Sequence, residues 1–353
     1  MCDAVRRTVV AVCALLFAAC GGRAADDVHT RVTLMTYNVE NLFDTRDDPA
    51  KLDDSFLPVA LKSDPAHRAA CRALRAETWR EQCLQWDWSD HALATKLDRL
   101  ARVILQVNDG RGPDILALQE VENLTLLERF RSDYLAAAGY VAAVLIEGDD
   151  PRGIDVAFLS RFPLQGEPKL HRVARRGGSG DVRGILEATF VLPDGALLTG
   201  YCAHLPAPAH PAALRLEALA TLNALAAGLP PERLRFAAGD FNVSATEDRR
   251  GHVTDQLIAA GWLPAHRVGC GACRGTYYYA RDRTWSFLDM ILLGPGLQPG
   301  RSGSGWRLRA ESVRLANELP EQSSRGGYPA GFELPAMRGV SDHWPLVADL
   351  VRN

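Results

Sequence analysis

Several apolar runs in this 353-residue chain stop at a side chain able to ligate a cation or carry a proton. Tyr37 is followed by Asn38, Leu118 by Gln119-Glu120, and Tyr201–Ala203 by His204. Phe236–Gly239 leads into Asp240-Phe241-Asn242, and Val340-Ser341 into Asp342-His343. Carboxylates and amides supply hard oxygen donors, which suit Mg²⁺ and similarly Mn²⁺ or Ca²⁺. Imidazoles among them can move protons near neutral pH. Asp240 and Asn242 are separated by one residue, so both side chains can point to one rim of a strand end. Asp289 stands among Phe287, Leu288, Met290 and Ile291, where a carboxylate needs a partner. His343 is the obvious one, and such a pairing raises imidazole basicity and fixes its tautomer. Taken singly, Asn38 reads as a turn residue, Glu120 as a helix-start acid and Asp240 as an Asx turn. Together, at the ends of successive strands, they read as one site.

The elements that must position them follow from hydrophobic period. Strands are expected at 31–37, 114–118, 141–146, 155–160, 185–191, 197–204, 234–238, 286–293 and 345–350. Amphipathic helices are expected at 91–107, 123–138, 211–227 and near 254–260. The segment 44–90 is polar and charged, and reads as an insertion with little regular structure; 294–305 reads as turns. No internal repeat or linker is visible, so one domain spanning 26–353 is the simpler organisation.

The first 25 residues look different. Arg6 and Arg7 precede an apolar run from Val9 to Ala19, the layout of a signal peptide too short to span a bilayer comfortably. Leu16–Cys20 also matches a lipoprotein box, which would attach the chain to an outer membrane through a lipid on Cys20. A simple secreted protein cut near Ala24 is the other exported reading. Local disulfides 71–83 and 270–273 are the preferred pairing, with Cys202 buried in a strand; cross-pairing or a zinc site made from the four remain alternatives.

With 47% hydrophobic and 24% charged residues, the composition is globular rather than disordered. A formal charge of −3 excludes a global basic field for nucleic acid. Four lysines against 36 arginines read as codon bias, so individual arginines need positional arguments.

Six segments carry a family resemblance: 36–41 (TYNVEN), 118–123 (LQEVEN), 152–157 (RGIDVA), 238–242 (AGDFN), 287–291 (FLDMI) and 341–345 (SDHWP). In this combination the chain resembles the endonuclease/exonuclease/phosphatase superfamily, most closely its bacterial extracellular nuclease-like members. The resemblance implies an α/β four-layer sandwich, with two mixed sheets face to face, helices outside and the site at one end. It implies a metal-dependent phosphoesterase with Glu120 as leading metal ligand, Asn38 beside it and Asp342 as a third. Asp240 would orient or deprotonate the attacking water, and Asn242 would hold that water or the phosphate. His343, oriented by Asp289, would contact the scissile phosphate or serve as base; His204 would be the general acid. Arg183, and in part Asn38, would bind substrate, while Arg152 and Asp155 belong either to the pocket or to packing. Nucleic acid is the expected substrate, met through a local arginine patch of Arg172, Arg175, Arg176 and Arg183. The runner-up is a phospholipid phosphodiesterase of sphingomyelinase type, with Trp86, Trp88 and Trp306 as candidate bilayer contacts. A catalytically dead surface-binding protein is the third class, opposed by the intact polar set.

Overall fold

A computed structural model describes residues 30–173, 183–300 and 305–352. The signal segment, Cys20, Arg175 and Arg176 lie outside them. Two six-stranded sheets form the centre. In the first, β1 (Arg31–Leu42) and β2 (Ile115–Val121) are parallel neighbours. They are flanked by β4 (Asp155–Ser160) and β3 (Ala142–Leu145) on one side. On the other side lie β14 (Leu346–Arg352) and β13 (Trp306–Leu315). The second sheet repeats this plan, with β7 (Leu197–His204) parallel to β8 (Leu234–Asp240). Antiparallel β6 (Ile185–Val191) and β5 (Lys169–His171) extend one edge. Strands β12 (Asp289–Leu293) and β9 (Leu263–Pro264) extend the other. A small ribbon, β10 (Tyr277–Tyr279) with β11 (Thr284–Ser286), stands apart from both.

Strand alternation assigns the faces. Val32, Leu34, Ile115, Ala117, Val156 and Phe158 of the first sheet pack against Leu186, Phe190, Phe236, Ala238 and Ile291 of the second. The opposite parity of the first sheet, with Met35, Tyr37, Leu116 and Leu118, packs on helix α3 (Asp90–Leu105). That helix is capped by the Ser89 side chain and buries Leu93, Leu97, Leu100 and Ile104, at intervals of three or four residues. On the second sheet, Tyr201, Ala203, Ala237 and Leu292 pack on α5 (Ala212–Ala227) and α7 (Val253–Ala259). Each such fully buried aliphatic side chain contributes about 1.5–3 kcal/mol. The layer order is helix, sheet, sheet, helix, as expected from the motifs.

Three expectations change. The 44–90 insertion holds two helices, α1 (Pro65–Ala73) and α2 (Glu77–Gln85), as well as short 3₁₀ turns. Asp64 caps α1 through the Ala66 and His67 amides, and Pro65 opens it, a local signal that the polar composition obscured. The helix expected over 123–138 shortens to α4 (Leu124–Arg129), followed by a wider turn over Phe130–Tyr134 and a 3₁₀ turn. Strand β13 follows the turn-rich segment, its alternation masked by Arg307, Arg309 and Arg314 on the less buried face. The remaining short helix is α6 (Ala245–Gly251). Among the described residues, no helix is long and apolar enough to cross a membrane.

Candidate active site

Polar residues continue the inward parity of the apolar core at one end of the sandwich. Asn38 follows Leu34 and Thr36 on β1, and His204 follows Leu198, Gly200 and Cys202 on β7. Asp240 follows Phe236 and Ala238, while Asp289 precedes Ile291 and Leu293. Registers His204↔Asp240 and Asp240↔Asp289 set three of these side by side. Gly239 permits the close approach of β7 and β8, because a Cβ there would meet the Ala203 carbonyl oxygen.

Glu120 breaks the parity. Its φ of 67° and a register shift on both neighbours mark a bulge, which re-aims one side chain. The Glu120 carboxylate accepts from the Asn41 amide at 2.8 Å and from Asn38 Nδ2 at 3.4 Å. Asn38 Nδ2 also lies 3.1 Å from Asp240 Oδ2. Asp240 accepts the Asn242 amide at 2.9 Å, and Asn242 Nδ2 donates to the Leu205 carbonyl at 2.8 Å. His204 Nε2 stands 3.4 Å from Asp240 Oδ2 and 3.8 Å from Glu120 Oε1, the carboxylate neighbours its sequence did not reveal.

The anticipated Asp289–His343 pair is present, with Oδ2 to Nδ1 at 2.7 Å. Thr276 Oγ1 accepts the Asp289 amide at 3.1 Å, and the Ser341 hydroxyl bridges the His343 amide (3.1 Å) to the Asn38 carbonyl (2.7 Å). His343 Nε2 is 3.9 Å from both Asp240 Oδ2 and Asp342 Oδ1. Tyr277 packs against the His343 ring at 4.8 Å.

The sequence reading missed Glu40 and Lys96. Lys96 lies on the buried face of α3 and donates to the Val340 carbonyl at 2.6 Å, 3.7 Å from Glu40. It ties helix, β1 and the Ser341–His343 turn together. A lysine between Leu93, Leu97 and Leu100 was the available signal.

Electrostatics sort these groups. Burial would raise Glu120, but Arg152, Arg183, the Asn41 amide and His343 hold it below the usual carboxylate range. Burial pushes Asp240 up to about 7, with Asp289 adding and His343 opposing. Burial opposes a charged His343, yet Asp289, Asp342 and Asp240 hold it well above the ordinary histidine value. His204 goes the other way: burial and the charges of Arg183, Arg152 and His343 keep it neutral. Burial, then Asp342 and Glu120, raise Glu40 to about 8 against the pull of Lys96. Loss of solvent, then Glu120 and Asp289, raise Asp342 against His343 and Lys96, although 43% of its side chain remains open to the groove. Asp289 Oδ1 is buried and has no hydrogen-bond partner among the described residues. Crowded carboxylates and an orphaned oxygen are what a divalent cation relieves, so the donor set fits one. Glu120, Asn38 and Asp342 could hold it, and beside them the ligand atoms of Asp240, Asp289 and His343 lie within 4.8 Å of one another.

A groove of about 1070 Å³ opens over these residues and is also lined by Arg152, Arg183, Tyr277 and Tyr279. Arg183 is buried, with Nε 2.8 Å from Asp150 Oδ2. Arg172 instead pairs with Asp149 on the surface, so these two do not form the expected joint patch. Asp155 accepts the Gly148 amide and lines a separate small cavity with Glu122, Asp44 and Asp48. Among the unassigned histidines, His210 lines the groove, His252 pairs with Asp255 on the surface, and His266 stacks on Phe287. Trp88 and Trp306 are core residues, and Trp86 is half-buried against Phe56. Disulfides join Cys71 to Cys83 and Cys270 to Cys273, while Cys202 is free and buried. Two local disulfides are compatible with an oxidising compartment.

Solved structures share this fold. An endonuclease/exonuclease/phosphatase protein from Beutenbergia cavernae DSM 12333 is 17% identical, with TM-score 0.55, covering 92% of this chain and 72% of its own. TDP2 from D. rerio, complexed with a single strand DNA product, is 15% identical with TM-score 0.55, covering 91% and 98%. A family protein from Bacteroides thetaiotaomicron is 17% identical with TM-score 0.53, covering 92% and 98%. No curated protein matches the chain. The model of the Endonuclease/Exonuclease/phosphatase family matches residues 35–343, from the first strand to His343. The chain therefore belongs to the endonuclease/exonuclease/phosphatase family, whose members are metal-dependent hydrolases of phosphoester bonds.

Proposed function

We propose that this protein is an exported nuclease that hydrolyses phosphodiester bonds with a divalent cation, Mg²⁺ foremost. The observation carrying the reading is the segregation of charge at the groove floor. An ionised Glu120 and a buried Asp240 stand opposite a cationic His343, beneath arginine-bearing walls. Such a floor suits a phosphodiester, which needs charge neutralisation, an activated water and a proton for the leaving oxygen.

Glu120, Asn38 and Asp342 would hold the cation, which would supply Lewis-acid neutralisation of the phosphoryl oxygens when bound. Asp240, oriented by Asn38 and the Asn242 amide, takes a proton from water. Asn242 fixes Asp240 and the turn below it. His343 is the better proton donor of the two imidazoles, because Asp289 keeps it charged while burial keeps His204 neutral. That exchanges the acid role expected of His204 for a hydrogen-bonding role beside Glu120 and Asp240. Arg183 draws substrate phosphate towards the floor, steered by Asp150. The 1–25 signal, with or without a lipid on Cys20, and the two disulfides support export. Burial of Trp88 and Trp306 weakens the phospholipid alternative.

The test offers residues 26–353 plasmid DNA, RNA and sphingomyelin with Mg²⁺, Mn²⁺ or Ca²⁺, beside Glu120→Gln. Cleavage of nucleic acid should require the cation. Glu120→Gln should raise the concentration needed for half-maximal turnover at least about tenfold. Full turnover in excess chelator would sink the metal role; turnover of sphingomyelin alone would sink the nuclease reading.

A further inference from the structure

The exposed aromatic at the groove is one that neither the core nor the catalytic floor uses. Trp79 lies on α2, is 60% exposed and lines the same groove as Glu120, Asp240 and His343. An exposed indole offers a broad, rigid planar face on which a ligand can stack. Trp79 makes no ring pairing among the described residues, unlike Tyr277, Tyr278 and Trp285.

Its platform is firmly held. The Cys71–Cys83 disulfide joins α1 to α2, with Cα atoms 5.5 Å apart. Lys62, buried beneath, donates to the Ser55 carbonyl at 3.0 Å and the Gln82 carbonyl at 3.2 Å. Arg80, next to Trp79, donates to the Leu74 and Arg75 carbonyls at 2.8 Å each, closing the connection between the helices. Two helices, a crosslink and a buried lysine thus fix the backbone that presents one indole to the groove. Arg152, Arg183, Arg250 and Arg281 line that groove as well, with Tyr277 and Tyr279. An open indole face and guanidinium groups lining one groove match a single-stranded nucleic acid, whose bases stack while its phosphates meet cations. A lipid headgroup would offer phosphate without a base.

We infer that Trp79 is a stacking subsite for a nucleobase of the strand being cleaved, on the wall of the groove that holds the catalytic floor. The inference rests on the nuclease reading and deepens it. The α1–α2 insertion, on this account, serves specificity: it selects nucleic acid over base-free phosphodiesters by adding one planar contact at the groove wall.

The experiment compares the full protein with Trp79→Ala and Trp79→Phe. One arm titrates a single-stranded oligonucleotide in excess chelator and follows indole emission, with Trp79→Phe as the difference control. A second arm measures turnover with cation on the oligonucleotide and on methyl p-nitrophenyl phosphate, a diester with no base. Trp79→Ala should weaken oligonucleotide binding at least about fivefold, in line with one lost stack. Its kcat/KM should fall at least five times further on the oligonucleotide than on the small diester, mainly through KM, and phenylalanine should restore most of the loss. Equal losses on both substrates would overturn the inference and assign Trp79 a structural role. Loss of binding to sphingomyelin vesicles, with oligonucleotide binding intact, would overturn it in favour of a lipid-facing indole. If the wild type cleaves no nucleic acid, the nuclease reading fails by itself, and the chelator arm still decides whether Trp79 stacks on a base.

Discussion

Asp289→Asn tests the electrostatic account of the site most directly. The substitution keeps size and hydrogen-bonding capacity but removes the charge facing His343 Nδ1 at 2.7 Å, in a pair exposed by only 0% and 5%. A charge-assisted hydrogen bond of this kind is worth about 1.5–3 kcal/mol. With it gone, burial opposes the imidazolium while Asp342 and Asp240 still favour it. The His343 titration should therefore move down. Two assays follow: histidine titration by heteronuclear NMR, and turnover on the active phosphodiester. Turnover should fall at least about 10²-fold, since the negative charge that favours and orients the protonated imidazole is gone. Stability should fall less, because the unpartnered Asp289 Oδ1 no longer carries buried charge. A loss of about 1–2 kcal/mol corresponds to only a few degrees in Tm. Near-wild-type turnover with an unmoved His343 titration would refute the pairing argument.

The other two predictions probe neighbouring parts. Asp240→Asn and His343→Ala should each lower turnover at least about 10²-fold, and the double variant should lose far less than the product of the two; full multiplicativity would mean that they do not share a transition state. Glu122, buried and surrounded by Asp44, Asp53 and Asp48, has its carboxyl pushed up to about 8, mainly by burial. A carboxyl raised in the fold binds its proton more tightly there than in the unfolded chain, so its contribution to stability is lost as pH rises from about 4.5 to about 8. Glu122→Gln should therefore raise Tm at pH 8.5 and leave it little changed at pH 5, as read by melting curves; equal shifts at both pH values would disprove the assignment.

Much of this protein was legible because β-structure has a short period. A strand alternates faces every residue, so Val32-Leu34-Thr36 forecasts an inward Asn38, and Phe236-Ala238 forecasts an inward Asp240. Six motifs, each where an apolar run begins or ends, were enough to suggest the family, the layers and most of the groups that meet at the rim. Desolvation announced that Asp289, among apolar neighbours, must find a partner, and the motif around His343 offered one. Other features depended on contacts across large separations. Glu120 turns into the site through a bulge with positive φ, and no residue pattern announces that φ. Lys96 reaches Val340 across 244 positions, so its role exists only once α3 packs on the first sheet. The neutrality of His204 arises from burial, then from Arg183 and Arg152, which stand just before β6 and β4, and the charge of His343 from three carboxylates on separate segments. Local period and burial are properties of short stretches and can be read in one dimension; bulges, long-range tethers and proton affinities are sums over neighbours that only the folded chain assembles.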